Sequence, residues 1–303
     1  MTSDNPDEPQ EEREVYVPGT IDRDRQTRAE TVLGQTSYWL LASRAYRYAG
    51  LRTYLVEVFV REFAECLKHP SSQSATLNAQ ILLWAAWSHT FMHLEDVAAL
   101  LHATAEFGKQ WDMCGKADMN LIYERYMSFG DPQARSGASP QSVLEQVDSS
   151  FDDARRALWL PKKKEWSQLY PGAPERNYVL VTQPVSNLRR VARAVLDQLR
   201  SESGRKWYES YLRFKHGMAM VALDLFHGTA TMQYPPGRVP DEQTIRAEAS
   251  RQTRKVHILM AHDPRGPERK GPHLQSFDCT EEVAKQALGS SRVLSEIEEY
   301  VCK

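Results

Sequence analysis

A chain of 303 residues with 41% hydrophobic and 26% charged residues can bury a sizeable core beneath an ordinary charged surface. Its formal net charge of -2 argues against a globally basic nucleic-acid binder or a polybasic membrane protein and leaves room only for local basic patches. No apolar run approaches the roughly 18 residues of a membrane span, because the richest stretch, Ile81 to Leu101, is broken by His89, His93, Glu95 and Asp96.

Residues 1–25 are rich in Asp, Glu and Pro and lack periodicity, which predicts a disordered acidic tail. They contain neither the apolar segment of a signal peptide nor the Arg-rich, acid-poor composition of a transit peptide. Cys66, Cys114, Cys279 and Cys302 are scattered and form no paired zinc or redox motif. Sparse cysteine fits a reducing compartment, so a cytoplasmic location without membrane attachment is expected.

Helical patterning begins near Thr27. One helix is predicted from Thr27 to Tyr48, punctuated by Gly50, and a second from Arg52 to Lys68, ended at the His69–Pro70 step. A long apolar helix follows from Ser74 to Glu106, with Gly108 and Gly115 bracketing a break before Met119 to Phe129. Residues 130–140 read as a loop, and Pro140 to Trp159 as one helix. Residues 161–178 hold three prolines and read as a long connection. Two strong helices are predicted over 185–201 and 205–227. Val256 to Ala261 and His273 to Cys279 read as strands, before a final helical stretch from Thr280 to Val301, interrupted near Gly289. The predicted fold is mainly α: a helical bundle over 26–230, then a C-terminal segment over 231–303 with a small β-hairpin-like appendage and a terminal helix.

Projected at about 100° per residue, 207–227 shows two faces. Trp207, Tyr211, Phe214, Met218, Val221, Ala222 and Leu225 form a core stripe, while Glu209, Arg213, His216, Met220, Leu223 and His227 share the opposite side. Glu209 and Arg213 stand in the favourable acid-first order of a helical ion pair. An imidazole can move a proton near neutral pH, and a guanidinium can stabilise charge developing on a phosphate oxygen. That pairing suits metal-free cleavage of an RNA backbone by its own 2′-hydroxyl; an ordinary polar helix contact has the same composition. On this reading Arg213 stabilises the oxyanion, His216 is the acid/base, Glu209 orients Arg213, and His227 supports from the same face. Between Asn187 and His216 eight Lys/Arg face three acids. Arg189, Arg193 and Arg200 share one helical face and, with Lys215, are the expected phosphate contacts.

The segment Tyr211–Leu212–Arg213–Phe214–Lys215–His216–Gly217 resembles the Tyr-Asn-Lys-Phe-Lys-His-Gly type of segment in bacterial helical proteins related to the HEPN superfamily. The resemblance implies a dimeric helical bundle, a metal-independent ribonuclease or an inactive binding module, and a role in toxin–antitoxin or phage-defence systems. The active HEPN signature places four to six residues between Arg and His. Arg213 and His216 are closer than that, whereas Arg251 and His257 fit the spacing.

Other chemistry is less well served. His89, His93 and Asp96 share a helix face, but no glutamate follows the first histidine, so helix packing is their expected role and neither metal nor cofactor is expected. Phosphate-binding glycine loops and the Gly-x-Ser-x-Gly elbow are absent. The Lys162–Lys163–Lys164–Glu165–Trp166 run offers charge and stacking to a nucleic acid or, more simply, a solvated cluster. Two functions lead: an RNA-directed HEPN-like protein, or a non-catalytic helical adaptor or oligomer subunit that binds a protein partner; a metal-dependent helical enzyme around His89 and His93 is the third and weaker reading.

Overall fold

A computed structural model describes residues 35–69, 73–115, 117–130, 138–169, 175–222, 241, 243–244, 255–260 and 273–302. The fold is mainly α with a small antiparallel sheet, as the sequence predicts. Helix α1 spans Gln35–Leu67, α2 Gln73–Cys114, α3 Met119–Met127, α4 Pro140–Ser149, α5 Phe151–Ala157 and α6 Lys163–Leu169. A 3-10 turn, Glu175–Tyr178, leads into α7, Val179–Arg200, and α8, Glu202–Lys215. Strands β1 (Ala219–Ala222), β2 (Lys255–Met260) and β3 (His273–Asp278) precede α9, Glu281–Cys302.

Helix α2 is the axis of the fold. Its 42 residues, at about 1.5 Å each, run roughly 60 Å. Val97, Ala98, Ala99, Leu100 and Leu101 are all buried, and five consecutive residues sweep more than one full turn. A helix apolar on every side must be surrounded. Helices α1, α9, α5, α3, α4 and α8 and strand β2 all contact it. One aromatic column ties α2 to α8 and the sheet: Trp87 stacks on Trp207 at 5.4 Å, and Trp207 on Phe277 at 3.9 Å.

Several predicted boundaries are corrected. Helix α1 runs unbroken through Gly50. Helix α2 runs through Gly108, whose missing side chain serves packing instead of a break: a Cβ there would stand 2.7 Å from the Arg156 Cα of α5. The single helix expected over 140–159 is two. Ser150 is extended (φ -114, ψ 118), and its hydroxyl accepts from the Asp153 N–H to cap α5. The connection expected over 161–178 contains α6, and α7 begins at Val179 with Pro184 inside it. Helix α9 continues through Gly289.

The most consequential correction concerns 205–227. Helix α8 stops at Lys215. Gly217 adopts a left-handed φ of 70°, the Gly217 N–H bonds to the Phe214 carbonyl at 3.0 Å, and the Met218 N–H bonds to the Arg213 carbonyl at 2.8 Å. This is the paired closure of a Schellman stop, which glycine adopts without steric cost. Residues 219–222 then become β1, which pairs with β2; β2 pairs with β3, both antiparallel. The boundary expected at 230 therefore lies between two strands of one sheet. Val256, Ile258 and Met260 of β2 are buried, and the Ser210 hydroxyl of α8 donates to Gln275 Oε1 of β3 at 2.7 Å.

Helix α9 docks on α1 and α2 through a buried polar seam. Thr53 Oγ1 lies 3.0 Å from Ser291 Oγ and 2.7 Å from Ser295 Oγ. His93 Nδ1 meets Ser291 Oγ at 3.1 Å, while His93 Nε2 lies 3.0 Å from Glu298 Oε2.

The close approach at Gly108 sets a stability test. Gly108→Ala should cost about 1–3 kcal/mol in urea unfolding, through overpacking against Arg156. Gly50→Ala, where nothing lies within 4 Å, should instead stabilise by about 0.5–1 kcal/mol. Equal effects at the two positions would contradict the packing role of Gly108.

Candidate functional site

The last turns of α8 carry the predicted catalytic set. Arg213 Nη2 bonds Glu209 Oε1 at 3.1 Å; the Arg213 side chain is 19% exposed and that of Glu209 49%. The sequence-predicted ion pair is therefore formed, one turn before the helix stop. His216 occupies the C-cap, where its backbone N–H bonds to the Leu212 and Phe214 carbonyls. Its side chain is exposed and makes no hydrogen bond or ion pair among the described residues. Met220 leaves the helix altogether and lies on β1. Leu223 and His227 lie outside the described residues, as does Arg251. His257 is buried on β2, with Nδ1 2.8 Å from Ser276 Oγ.

Lys215 turns back onto α2, where its Nζ meets Glu95 Oε2 at 2.8 Å. Glu95 also accepts from the Tyr211 hydroxyl at 3.1 Å. Burial, then the Glu95 carboxylate, pushes the phenols of Tyr211 and Tyr208 well above their ordinary values, so both remain neutral. This knot locks the α8 terminus to the middle of α2.

The basic face of α7 lies along α4. Arg189 Nε donates to the Asp148 carbonyl at 2.8 Å, Arg193 Nη2 pairs with Asp148 Oδ1 at 3.0 Å, and Arg200 Nη2 pairs with Glu145 Oε1 at 2.8 Å. Hydrogen bonds from Gln141 and Arg200 hold the Glu145 carboxyl below its usual range. The positive stripe seen in the sequence is thus balanced across the α4–α7 contact. Arg190 and Arg205 are exposed and have no polar partner among the described residues.

The other motifs are absorbed by packing. His89 Nδ1 lies 3.4 Å from Arg52 Nη1, and burial, then the Arg52 charge, lowers its pKa. Asp96 accepts from Arg52 at 3.1 Å. His93 faces α9, so the three residues that share one predicted face are divided between α1 and α9. Among the described residues no group of three or more His, Cys, Asp and Glu side chains could hold a metal ion. In the Lys162–Trp166 run, Trp166 is buried against Tyr178, and Lys162 Nζ lies 3.4 Å from Asp112.

Asp112 itself is a feature the sequence did not disclose. Its side chain is 6% exposed, and it binds Arg155 at 2.6 Å and Arg156 at 3.0 Å. Burial pushes its pKa up, but hydrogen bonds from Arg156 and Arg155 outweigh this and hold the carboxyl below its ordinary value. A lone aspartate near the end of a helix carries no pattern that would reveal three cations arriving from α5 and the segment after it.

No protein-family model, curated protein or solved structure matches this chain. Among the described residues no helix is long and apolar enough to cross a membrane.

Asp112→Asn should destabilise the fold by about 1–3 kcal/mol near neutral pH, because it removes the buried carboxylate that Arg155 and Arg156 share and leaves them to Asp152 and Asp153 alone. The depressed pKa fixes the sign of the pH dependence. The contribution of Asp112 is complete above its unfolded value of about 3.9 and is lost as pH falls through the lower folded value. Urea unfolding at a series of acid pH values should therefore show a shallower decline in the variant than in the wild type. Parallel declines would remove Asp112 from the account.

Proposed function

We propose that this chain is a non-catalytic binding module that self-associates through the outer face of its sheet. One observation carries the reading. Met220, Leu259 and Leu274 are direct cross-strand neighbours, forming an apolar row over all three strands, yet they are 59%, 38% and 43% exposed. Phe214 and Met218, just before β1, are 43% and 37% exposed. Loose packing is not the cause, since the alternate residues Val256, Ile258 and Met260 are fully covered.

A contiguous apolar row on the solvent side of a sheet is the chemistry of an association surface. Its complement must also be apolar, and the same row on a second copy supplies one through a two-fold contact. The charged candidates nearby are compatible with this reading: Arg213 pairs with Glu209 and Lys215 with Glu95. Light scattering should show a dimer for the wild type and a monomer for Leu259→Glu, with unchanged far-ultraviolet ellipticity. A wild-type chain that stays monomeric at high micromolar concentration would overturn the reading.

A second reading rests on His216, whose imidazole is exposed and unpartnered among the described residues one turn beyond Arg213. With the HEPN-like segment it supports RNA cleavage: His216 takes the 2′-hydroxyl proton as that oxygen bonds to phosphorus and returns it to the 5′-oxygen as the P–O5′ bond breaks, leaving a 2′,3′-cyclic phosphate, while Arg213 steadies the phosphate and Arg190 and Arg205 hold the backbone. His216→Ala should abolish metal-free cleavage of single-stranded RNA without altering helicity. Wild-type protein that leaves RNA intact, with or without magnesium, sinks this reading and leaves the first untouched.

A further inference from the structure

One member of the apolar row carries chemistry that the other two lack. Leu259 and Leu274 end in hydrocarbon, but Met220 ends in a thioether, which peroxides oxidise to a sulfoxide. It is 59% exposed on β1, directly beside Leu259. Met218, two residues earlier, is 37% exposed and belongs to the Schellman stop that ends α8.

Other methionines set the scale. Met260 lies on the inner side of the same sheet, 1% exposed, with its Sδ 4.0 Å from the Ser210 hydroxyl. Met92 packs against the core, and its Sδ accepts from Arg52 Nη1 at 3.3 Å. Met113 and Met127 are exposed at 78% and 49%, but they belong to α2 and α3. Access to an oxidant therefore separates Met218 and Met220 from the core methionines, and position separates them from Met113 and Met127.

The oxidation is a two-electron step. The sulfur lone pair attacks one peroxide oxygen, the O–O bond breaks as the S–O bond forms, and the other oxygen leaves as water or an alcohol. The sulfoxide is polar and asks for a hydrogen-bond donor, which the leucine side chains beside it do not offer. A two-fold contact would bury that group twice. We propose, on the reading that the sheet face joins two copies of this chain, that Met220, with Met218 beside it, is a peroxide-sensitive modification site whose oxidation separates them. The closed pair shields both thioethers, so oxidation takes the free chain and holds it apart.

Full-length protein at low and at high micromolar concentration is treated with hydrogen peroxide. Peptide mass spectrometry follows each methionine, and light scattering follows the molecular mass. Met220 should gain oxygen more slowly at the high concentration, while Met113 reacts at the same rate at both. The oxidised chain should pair about tenfold or more weakly, as an unpartnered buried polar group requires, and methionine sulfoxide reductases should restore the pair. Met113→Leu/Met127→Leu, substituted outside the row, should respond to peroxide like the wild type. An untreated wild type that stays monomeric at high micromolar concentration overturns the self-association reading and this one with it. If the untreated chain pairs, three results overturn the oxidation site alone: unchanged affinity once Met220 is oxidised, oxidation of Met220 at one rate at both concentrations, or a response lost in Met113→Leu/Met127→Leu.

Discussion

Everything in this fold depends on the need to cover α2 on all sides. The turn from Val97 to Leu101 has no polar face, so each residue around its circumference must meet another element. Burial of a Leu, Phe or Trp side chain contributes on the order of 1.5–3 kcal/mol. A run of such residues over several turns therefore drives the whole bundle to assemble around one rod. Seven other elements share that work. The sheet is one of them, which explains why it cannot be an independent appendage: its inner residues fill the gap that α8 leaves beside Trp87 and Trp207.

Polar groups then decide how the covering elements are oriented. Apolar contact alone would let α9 slide along α1 and α2. The Thr53–Ser291–His93 seam penalises any shift, because each displaced hydroxyl or imidazole would be buried without a partner. At the other end Asp112 does the same for α5. A single carboxylate gathers Arg155, Arg156 and Lys162, so the segment from 155 to 162 has one way to lie across α2. Trp159 occupies the middle of that segment, and its left-handed backbone follows from anchors on both sides.

The same logic explains what the sequence could disclose. Long helices were legible because their burial is periodic, and β2 and β3 because β-branched and apolar residues stand between turn-rich segments. Gly108 misled because its chemistry is the same whether it ends a helix or admits a neighbour; only the Arg156 backbone distinguishes the cases. Residues 216–222 misled more seriously. Met218, Val221 and Ala222 continue the apolar stripe of α8 at helical spacing, so the pattern reads through the stop. His216–Gly217 is the local signal of a left-handed cap, and it was outweighed by the stripe. With the stop in place, the predicted catalytic face keeps Glu209, Arg213 and His216 but loses Met220 to the sheet. The charge balance of α7 was beyond local reading, since Asp148 and Glu145 lie more than forty residues away in sequence.

A rod covered along its length can offer open surface only near its ends, and the two unusual surfaces are found there. Near the first turns of α2, Gln80 bonds the Lys255 carbonyl of β2, placing the sheet and its apolar row at that end. At the last turns Trp111 stacks on Phe107 with its indole 46% exposed. Gln80 and Trp111 are separated by about 45 Å of helix, far beyond the 7–10 Å within which substitutions normally couple. Changes at one end should therefore leave the other unaffected unless α2 itself unfolds. The Lys215–Glu95–Tyr211 knot lies between them, fixing α8 to the rod. Its charges are satisfied from within the chain, whereas the apolar row and the terminal indole are not. That asymmetry, more than any motif, is the physical reason to look for binding at the two ends.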